Sequence, residues 1–543
     1  MSNKPSGYTV TAALPYANGP IHIGHLAGAY LPADIYVRYL RAQKKKVLFI
    51  CGSDEGGVAI TLKANQEGIS PQEVVDRYHT QNENSFQALG IYFDVFGRTS
   101  DNLHHQQAQN FFIKLYQQGA LVKKESKEYY DEEAKMFLAD RYLLGSCPHC
   151  SYDHAYGDQC EKCGSSLSSQ ELKNPRSKLS GHQLVKKKTT HWYLPLDRYE
   201  QWLRSWIAKQ GQHWRANVYG QCKSWLDQGL RPRAMTRDLP WGVKVPLPDT
   251  EGKVLYVWFE APIGYISATQ AWAKLYQGKW QEWWQDPQQQ LVHFIGKDNI
   301  VFHALIFPTM LHAHGDYILP SEVVANEFMN LEGEKISTSR NHAVWLDDYL
   351  KTYPGKEDVL RYVLCANAPE SKDSNFTWED FRSRNNHELV AILGNFINRS
   401  MVLLHKYFAG SVPRPAALRE EEKRSIAHIA RLQRQLEQAL DQKMFRKGLE
   451  LLMGLPRAGN QYLAETAPWK ASQERCATIL YVCSQIMYLI AMCGSPFLPF
   501  TMKKLRKMMN IKDTAWVTSH RFEYISPGHL MEQPSLLFEK IET

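Results

Sequence analysis

The sequence has little that would direct it into or across a membrane. We find no run of about 20 consecutive apolar residues, which is the length that a membrane-spanning helix needs. The N-terminus, MSNKPSGYTV, lacks the apolar core of a signal peptide. Internal repeats and low-complexity tracts are also missing, which argues against repeat architectures. We therefore expect a cytoplasmic protein with no membrane partner.

What the chain does contain is typical of a large globular protein. Its 543 residues exceed what one hydrophobic core organises, so several domains are expected. Hydrophobic residues make up 44% and charged residues 22%, an ordinary composition. The net charge of +8 permits a nucleic-acid partner without requiring one. Lysine clusters at 44–46 and 186–188 are consistent with phosphate contact or, more simply, with solvated surface.

The ten cysteines divide unevenly along the chain. Four of them, Cys147, Cys150, Cys160 and Cys163, form a C-x2-C-x9-C-x2-C array in CPHCSYDHAYGDQCEKC. Two tight thiolate pairs suit tetrahedral Zn2+, and a closed four-cysteine shell favours one structural zinc over a catalytic one. Disulfides conflict with a reducing cytoplasm, and iron–sulfur clusters usually show other spacings. The remaining six cysteines are expected to be buried thiols.

The order of patterns along the chain predicts several structural units. Residues 1 to about 120 alternate strand-like runs, such as KVLFICGSD, with helical ones, which predicts a parallel α/β unit. Turn-rich polar sequence from about 121 to 245 carries the cysteine array and indicates an inserted module. The α/β character returns at KVLYVWFEAPIGYISA, so the insertion is expected to separate two halves of one sheet. From about 386 helical periodicity predominates, interrupted by a loop at GSVPRPAAL.

Two histidines lie three residues apart at the start of the first predicted helix. YTVTAA predicts a strand, Asn18–Pro20 a turn, and the segment from His25 onward a helix in which Pro32 introduces a kink. His22 and His25 therefore fall near a helix N-terminus, where unpaired backbone N–H groups favour an anion. The alternative interpretation is two surface histidines at a helix start.

Further motifs match this one. HIGH at 22–25 and EKISTSR at 334–340 resemble the two signature motifs of class I aminoacyl-tRNA synthetases. ALPYANGPIHIGH, YVWFEAPIGY, FIGKDNIVFH, the cysteine array and NFINRS together resemble the methionyl-tRNA synthetase family. The resemblance runs from residue 8 to beyond 500, nearly the whole chain.

The resemblance implies an α/β fold in which a Rossmann-type parallel-sheet catalytic domain is split by a zinc-binding insertion and followed by an α-helical anticodon-binding bundle. The implied boundaries are residues 1–120 for the first half of the catalytic domain, 121–245 for the connective insertion with its zinc knuckle at 147–163, 246–330 for the second half, 331–385 for a KMSKS-like loop and stem-contact region, 386–520 for the anticodon-binding domain and 521–543 for a C-terminal tail. Because the chain ends at Thr543, soon after the helical domain, we expect a monomer.

The implied reaction begins with attack of the methionine carboxylate on the α-phosphorus of ATP, with Mg2+ accompanying the nucleotide and pyrophosphate leaving. Methionyl is then transferred to the 3′-terminal adenosine of the methionine tRNAs, initiator and elongator. Negative charge develops on the phosphoryl oxygens, so preorganised donors stabilise the transition state more than the ground state.

The resemblance also implies a role for each matching residue. The catalytic set comprises His22, His25, Lys335 and Thr338, and the ATP-binding set comprises Gly24, Arg237, Gly296, Asp298 and Ser337. The methionine-binding set comprises Leu14, Tyr16, Asp54, Trp258, Ala261, Pro262, Tyr265 and His303, with Asp54 expected to bind the α-ammonium. The anticodon-binding set comprises Asn395, Arg399 and Trp469. Trp258 would otherwise be interpreted as a core residue of a buried strand, and Trp469 as a core residue.

The sequence departs from the family pattern at two positions. Thr338 stands where the second lysine of KMSKS normally acts, so either Lys335 and Arg340 compensate or pyrophosphate formation is slowed. Gly56 stands where family members commonly carry histidine. Both departures allow a rival reading, an RNA-binding protein that has lost catalysis, although the other site residues are present.

Two other rivals are disfavoured. Synthetases for branched-chain amino acids carry a larger insertion than the segment of about 125 residues seen between the two halves. A zinc hydrolase needs an open coordination position that the cysteine array does not leave.

Overall fold

The computed structural model describes residues 5–134, 136–138, 142–157, 160, 162–163, 165, 167, 170–182, 184–338, 340–517 and 522–542. Ser339 of the KISTS motif, part of the zinc knuckle and Thr543 at the end of the predicted tail lie outside these residues.

The strands are, in chain order, β1 Gly7–Ala12, β2 Val47–Ser53, β3 Val95–Arg98, β4 Val122–Asp131, β5 Met136–Phe137, β6 Leu143–Ser146, β7 Ala155–Tyr156, β8 Lys173–Ser177, β9 Val185–Leu194, β10 Arg233–Ala234, β11 Thr236–Asp238, β12 Lys253–Leu255, β13 Gln289–Gly296, β14 Glu322–Asn326, β15 Met329–Leu331, β16 Glu334–Lys335 and β17 Ser374–Phe376.

The helices are α1 Ile23–His25, α2 Leu31–Ala42, α3 Val58–Glu67, α4 Pro71–Ala88, α5 Asn102–Gln117, α6 Glu200–Gln210, α7 Ala216–Asp227, α8 Val257–Glu260, α9 Gly264–Tyr276, α10 Gln281–Trp284, α11 Phe307–His314, α12 Leu346–Thr352, α13 Glu357–Ala366, α14 Trp378–Arg384, α15 Asn395–Phe408, α16 Glu420–Asp441, α17 Phe445–Thr466, α18 Gln473–Cys493 and α19 Pro499–Met508. Leu26–Tyr30, Phe302–Ile306 and Asn385–Gly394 are π-helical.

A five-stranded sheet in the order β14-β13-β1-β2-β3 forms the centre of the molecule, and all of its pairings are parallel. β1, β2 and β13 are almost continuously buried because helices cover both faces of the sheet. The chain runs outward from β1 to β3 on one side and from β13 to β14 on the other. The switch point therefore lies between β1 and β13, and ligands bind at the carboxyl ends of strands at such points. The predicted α/β fold is confirmed.

The segment between the two halves of the sheet forms separate antiparallel sheets. One has the order β10-β9-β4-β5, and a smaller one, β7-β6-β8, flanks the cysteine array. Tyr142, Leu143 and Leu172 are buried with two of the cysteines in a small core of their own. The cysteine-bearing part of the insertion therefore has a small core of its own, whereas β9, α6 and α7 pack into a core shared with the central sheet.

The C-terminal part is helical, and α17 packs against both α16 and α18. We expected no segment that could span a membrane, but α18, Gln473–Cys493, is long and apolar enough to cross one. Its most apolar window is 94% buried inside the bundle, as in the core helix of a globular domain. The apolar run is thus accounted for by packing against neighbouring helices.

Local predictions near the first histidine motif are partly correct. β1 and β2 lie where the sequence placed them. Pro32 is the second residue of α2, but it directly follows the π-helical segment Leu26–Tyr30, so it lies inside a continuously helical stretch in which its ring nitrogen cannot donate. The irregularity near Pro32 is the π-helical turn before it, where the Asn326 side chain donates to the Ala27 carbonyl at 2.8 Å. The interpretation of Trp258 as part of a strand is wrong, since it lies in α8.

Arg361 joins three parts of the chain at a fully buried position. Its guanidinium contacts the Asp34 carboxylate of α2 at 2.6 Å, with both side chains at most 3% exposed. It also donates to the carbonyls of Phe497 and Pro496, each at 3.0 Å, just before α19. A buried charge requires such complete pairing, so Arg361 fixes the helical bundle against the catalytic sheet's helices.

Replacing Arg361 with methionine should lower the free energy of unfolding by about 3 kcal/mol. The loss leaves the two carbonyls unpaired and Asp34 with only its Arg38 contact at 2.8 Å. Urea unfolding followed by circular dichroism measures the change. Lys447→Met, which removes an exposed ion pair with Glu450, is the control and should change stability by less than about 0.5 kcal/mol. Equal effects of the two variants would contradict the role of Arg361.

Candidate functional site

A cavity of about 340 Å³ opens at the switch point between β1 and β13. Its walls come from the ends of these strands, the loop after β2, the first helical turns after β1, and the two π-helical segments Leu26–Tyr30 and Phe302–Ile306. The sequence-predicted residues that line it are Leu14, Tyr16, His22, Gly24, His25, Asp54, Trp258, Ala261, Pro262, Tyr265, Gly296, Asp298, His303 and Lys335. The fold thus brings together residues that are up to about 320 positions apart in sequence.

The histidine pair is fixed by backbone hydrogen bonds. His22 is the N-cap of α1, and its Nδ1 accepts from the backbone N–H of Gly24 at 3.1 Å and of His25 at 3.3 Å. The Nδ1 of His25 accepts from the backbone N–H of His22 at 3.3 Å, and the two rings stack 3.6 Å apart. Because each Nδ1 is an acceptor, a neutral ring carries its proton on Nε2. Each imidazole can therefore donate one hydrogen bond from a preset direction.

Burial keeps both rings uncharged. It lowers the pKa of His25 to about 4. Burial and then the proximity of His25 lower the pKa of His22 to about 2. Gly24 permits the tight arrangement, since a Cβ there would lie 3.0 Å from the His22 ring and 3.2 Å from Ile336. Near neutral pH the pair therefore acts through N–H dipoles rather than as two cations.

The segment that follows KISTS, residues 344–346, is bound to the histidine turn by backbone hydrogen bonds. Ile23 N–H donates to the Val344 carbonyl at 3.1 Å, and Leu346 N–H donates to Ile21 at 2.9 Å. Earlier in the chain, the backbones of Ser337 and His342 exchange two hydrogen bonds of 2.9 Å, which close a hairpin. The Lys335 ammonium lies 5.5 Å from the centre of the Phe328 ring at the cavity edge.

The other residues of that hairpin point elsewhere. Thr338 is exposed and Ser337 is half-buried, and neither lines the cavity. The guanidinium of Arg340 lies 4.0 Å from the carboxylate of Glu334. In this arrangement Lys335 is the cation of the hairpin that reaches the cavity, and Arg340 does not replace the missing second lysine.

The apolar end of the cavity is built from aromatic rings. Trp258 stacks on Phe302 at 3.9 Å, and Tyr16 meets Trp258 edge-on at 6.3 Å. Deeper, the Tyr265 hydroxyl and His303 Nε2 are 2.9 Å apart, and His303 Nδ1 lies 3.1 Å from the Asn299 carbonyl. His303 Nδ1 must donate to that carbonyl, so Nε2 accepts from Tyr265. Burial lowers the pKa of His303 to about 4, so the floor of this end is polar but uncharged.

Asp54 is the buried carboxyl of the cavity. It lies in the loop after β2, which is joined to the loop after β1 by two backbone hydrogen bonds of 2.8 Å, Ala17 to Asp54 and Asp54 to Pro15. Its Oδ1 accepts from Gly56 N–H at 3.2 Å. Burial and then the nearby Glu260 carboxyl raise the pKa of Asp54 well above its usual range. A cation placed against Asp54 would reverse this shift, so the position selects a positively charged group.

Of two predicted ATP contacts, Asp298 lines the cavity and Arg237 does not. Asp298 follows β13 and is packed over Gly296, where a Cβ would come within 2.7 Å of its carboxylate oxygen. Arg237 does not line the cavity. Its guanidinium lies 3.7 Å from the Tyr256 ring centre, beside a smaller cavity of about 140 Å³ on the far side of Trp258 and Tyr16.

Several lining residues were missed from sequence. They are Ala13, Pro15, Gly28, Ala29, Tyr30, Asn299, Phe302, Glu327, Phe328, Met329 and Ile336. In the FIGKDNIVFH motif Asn299 lies four residues before His303 and Phe302 lies four residues after Asp298, so helical spacing from these two predicted residues could have indicated them. Gly28 to Tyr30 required knowledge of the π-helical turn, which no sequence pattern indicated.

The cysteine array is brought together in the insertion. The Sγ atoms of Cys147, Cys150, Cys160 and Cys163 all lie within 4.8 Å of one another. The Cys147–Cys163 and Cys150–Cys160 separations are 3.8 and 3.6 Å, close to the roughly 3.8 Å edge of a tetrahedron with metal–sulfur bonds of about 2.3 Å. The thiols are not disulfide-bonded, and the four could hold a metal ion. The other six cysteines are buried, as expected.

One cysteine of this array, Cys163, has a thiol pKa below its ordinary value. Burial opposes ionisation of Cys163, but hydrogen bonds with the Ser165 hydroxyl and backbone lower the pKa of that thiol to about 6. A metal ligand must be a thiolate, so this residue fits the requirement.

The three residues predicted for the anticodon lie on one surface of the helical domain. Arg399 of α15 lies 5.5 Å from the ring centre of Trp469, which is 43% exposed. Asn395, one turn earlier, donates to the Asn460 side chain at 3.1 Å. An exposed tryptophan beside a guanidinium offers a face on which a base can stack. The interpretation of Trp469 as a core residue is wrong.

Comparison with known proteins decides the family. The model of class I tRNA synthetases (M) matches residues 8–401, and that of the anticodon-binding domain of methionyl-tRNA ligase matches residues 412–543. The chain belongs to the class I methionyl-tRNA synthetase family. It is therefore an enzyme of the ligase class.

Similar proteins agree over nearly the whole length. A methionine–tRNA ligase of Bacteroides fragilis is 57% identical over 537 residues, covering 98% of this chain and 79% of that protein. One from Cytophaga hutchinsonii is 55% identical, covering 100% and 80%. The methionyl-tRNA synthetase of Mycobacterium tuberculosis, solved bound to methionyl-adenylate, superposes with a TM-score of 0.80 at 21% identity over 98% of this chain and 100% of that one. The last likeness supports the fold.

Proposed function

We propose that the chain activates L-methionine with ATP to methionyl-adenylate and transfers methionyl to the 3′-terminal adenosine of methionine tRNAs, initiator and elongator. The observation that supports this most directly is the cavity itself. It places the paired His22 and His25 donors at one end and an aromatic pocket with one buried carboxyl at the other. The methionyl-tRNA synthetase family, to which the chain belongs, carries out this two-step reaction.

The roles of the donors follow from their geometry. His22 and His25 direct Nε2–H groups toward the α-phosphoryl oxygens, where charge develops as pyrophosphate leaves. Such preset dipoles require no reorganisation during the step, which is why they favour the transition state. Lys335 supplies the positive charge for the leaving pyrophosphate, with Ser337 and Thr338 as hydroxyl donors when the hairpin closes. Gly24, Gly296 and Asp298 hold the nucleoside, and Arg237 requires a shift of its side chain to reach the triphosphate.

The amino acid occupies the other end. Asp54 holds the α-ammonium, and Trp258 with Ala261 and Pro262 encloses the thioether. Sulfur against an aromatic ring contributes about 0.3–1.5 kcal/mol. Leu14, Tyr16, Tyr265 and His303 complete the pocket, and the uncharged Tyr265–His303 pair, whose O–H and N–H donors are used by His303 and the Asn299 carbonyl, presents no charge to the apolar thioether.

The remaining proposals concern metals and assembly. The array of four cysteines holds one structural Zn2+, since its sulfur geometry and ligand type suit that ion. Mg2+ enters with ATP. We also propose the six-part domain division set out from the sequence, a monomeric chain, a cytoplasmic location, and anticodon recognition by Asn395, Arg399 and Trp469.

The first experiment is methionine-dependent exchange of labelled pyrophosphate into ATP without tRNA, with leucine and cysteine as controls. Exchange with methionine alone is expected, and its rate should show no histidine titration between about pH 6 and 8, because both pKa values lie below that range. His25→Ala should lower kcat by roughly 10²- to 10³-fold and change the KM for methionine little. His428→Ala, at an exposed position, is the matched control. No exchange by folded wild-type protein would favour the RNA-binding alternative.

Trp469→Ala should raise the KM for tRNA by roughly 5- to 100-fold in aminoacylation, as expected for loss of one stacked base. Pyrophosphate exchange should be unaffected, because the anticodon surface is not part of the cavity. Tyr276→Ala removes a comparably exposed aromatic ring, 62% exposed, from α9 and should leave both reactions unchanged. Unaltered tRNA kinetics in the Trp469 variant would exclude the assignment.

Metal analysis should find about one zinc per chain in wild-type protein and none in Cys150→Ser. Cys476→Ala, which changes a buried cysteine outside the array, should retain the metal. Since the ion organises the insertion, the Cys150 variant should also lose protease resistance there. Iron in place of zinc, or full zinc in the variant, would disprove the proposal.

A further inference from the structure

Glu260 is a buried acid directly behind the wall of the cavity. It ends α8, between Trp258 and the Ala261–Pro262 pair, and is 1% exposed. It does not line the main cavity. Because an unpartnered buried carboxyl destabilises the folded protein, Glu260 needs hydrogen-bond partners at this position.

One carboxyl oxygen is held by a chain of hydrogen bonds whose direction can be assigned. Oε2 of Glu260 lies 2.8 Å from Nε2 of His104 on α5, and Nδ1 of His104 lies 3.0 Å from the Ser267 hydroxyl. That hydroxyl donates to the Gly264 carbonyl at 3.1 Å, so it must accept from His104 Nδ1–H. In a neutral imidazole Nε2 is then the acceptor, and the carboxyl proton of Glu260 lies toward it.

The surroundings favour this neutral form. Burial and then the charge of Glu55 raise the pKa of Glu260 well above its usual range, and burial lowers the pKa of His104 to about 4. Glu55 itself is fully paired, accepting from Arg98 at 2.9 Å and from Ser53 at 2.6 Å. An ionised Glu260 would need a protonated His104 as its partner, and the burial of His104 disfavours that form.

The other oxygen is packed against the loop that carries Asp54. A Cβ at Gly56 would lie 2.5 Å from Oε1 of Glu260, so no side chain fits at position 56 while Glu260 keeps its place. The backbone N–H of the same glycine donates to Asp54 at 3.2 Å. Glu260 therefore touches the residue that orients the buried carboxyl of the cavity.

We propose that Glu260 is a positioning residue for methionine: as a neutral hydrogen-bond donor to His104, it holds the Asp54 loop against the Trp258–Tyr265 segment. The two ends of the amino-acid site, the carboxyl for the ammonium group and the pocket for the side chain, are thereby kept at a fixed separation. Gly56 is one of the two departures from the family pattern, and its lack of a side chain leaves the space that Oε1 of Glu260 occupies. The inference rests on the proposed function.

The test compares four variants by methionine binding, measured by tryptophan fluorescence, and by pyrophosphate exchange. Glu260→Ala should raise the Kd and KM for methionine about 10-fold or more with the KM for ATP within about twofold. Glu260→Gln should recover most of the loss, because an amide N–H can donate to His104 as the acid does. Gly56→Ala should also weaken methionine binding. In the double variant Gly56→Ala/Glu260→Ala the methyl group enters vacated space, so the two effects should not add.

A matched control separates positioning from loss of stability. Glu422→Ala removes another fully buried carboxyl, paired with Arg475 at 2.7 Å in the helical domain, and should lower the unfolding temperature without changing methionine affinity. Unchanged methionine affinity in Glu260→Ala, a Gln variant as impaired as the Ala variant, or additive effects in the double variant would each overturn the proposal. Wild-type protein that binds methionine without exchange would contradict the proposed function alone. Absence of binding would contradict both.

Discussion

The parallel register between β1 and β13 is the constraint on which the site depends. Six consecutive pairs, from Gly7–Gln289 to Ala12–Phe294, join two segments separated by the whole insertion. Because parallel strands end at the same edge, the turn after β1 and the turn after β13 must face each other. This alignment brings His22 and Asp298 into the walls of one cavity. A slip of one residue would turn every side chain of one strand to the other face of the sheet.

The electrostatics of the site follow from how deeply that edge is enclosed. Burial lowers the pKa of the ionisable side chains His22, His25 and His303, which keeps them neutral, and raises the pKa of Asp54, which favours its neutral form. A site of this kind contains few fixed charges and receives them with its ligands. The ammonium group and the triphosphate then bring the charges against which the preset dipoles act. Lys335, Asp298 and Glu327 also line the cavity and are not buried. The position of Lys335 on an exposed hairpin at the rim fits a group that contacts the ligand after it has bound.

Much of the fold and many site residues could be predicted from the sequence, because motifs such as HIGH and the cysteine array have fixed local geometry. The α/β class, the first strands and the convergence of Asp54 with Trp258 were all indicated. The failures have physical causes. We expected no segment as apolar as α18, but the core helix of a bundle can be as apolar as a membrane-spanning helix. The helical state of Trp258 and the π-helical turns depend on tertiary packing, and hydrophobic periodicity carries no signal for either.

The π-helical segment Leu26–Tyr30 also limits how this region can change its length. A π-turn bonds residue i to i+5 and so contains one residue more than an α-turn. A π-turn absorbs its extra residue locally, so deleting one residue here would restore a regular helix and leave the rotation of the histidine turn relative to α2 nearly unchanged. The deletion would instead shorten the segment that contributes Gly28, Ala29 and Tyr30 to the cavity wall. The wide turn therefore shapes that wall, and a one-residue deletion should alter the wall while the histidine turn keeps its direction.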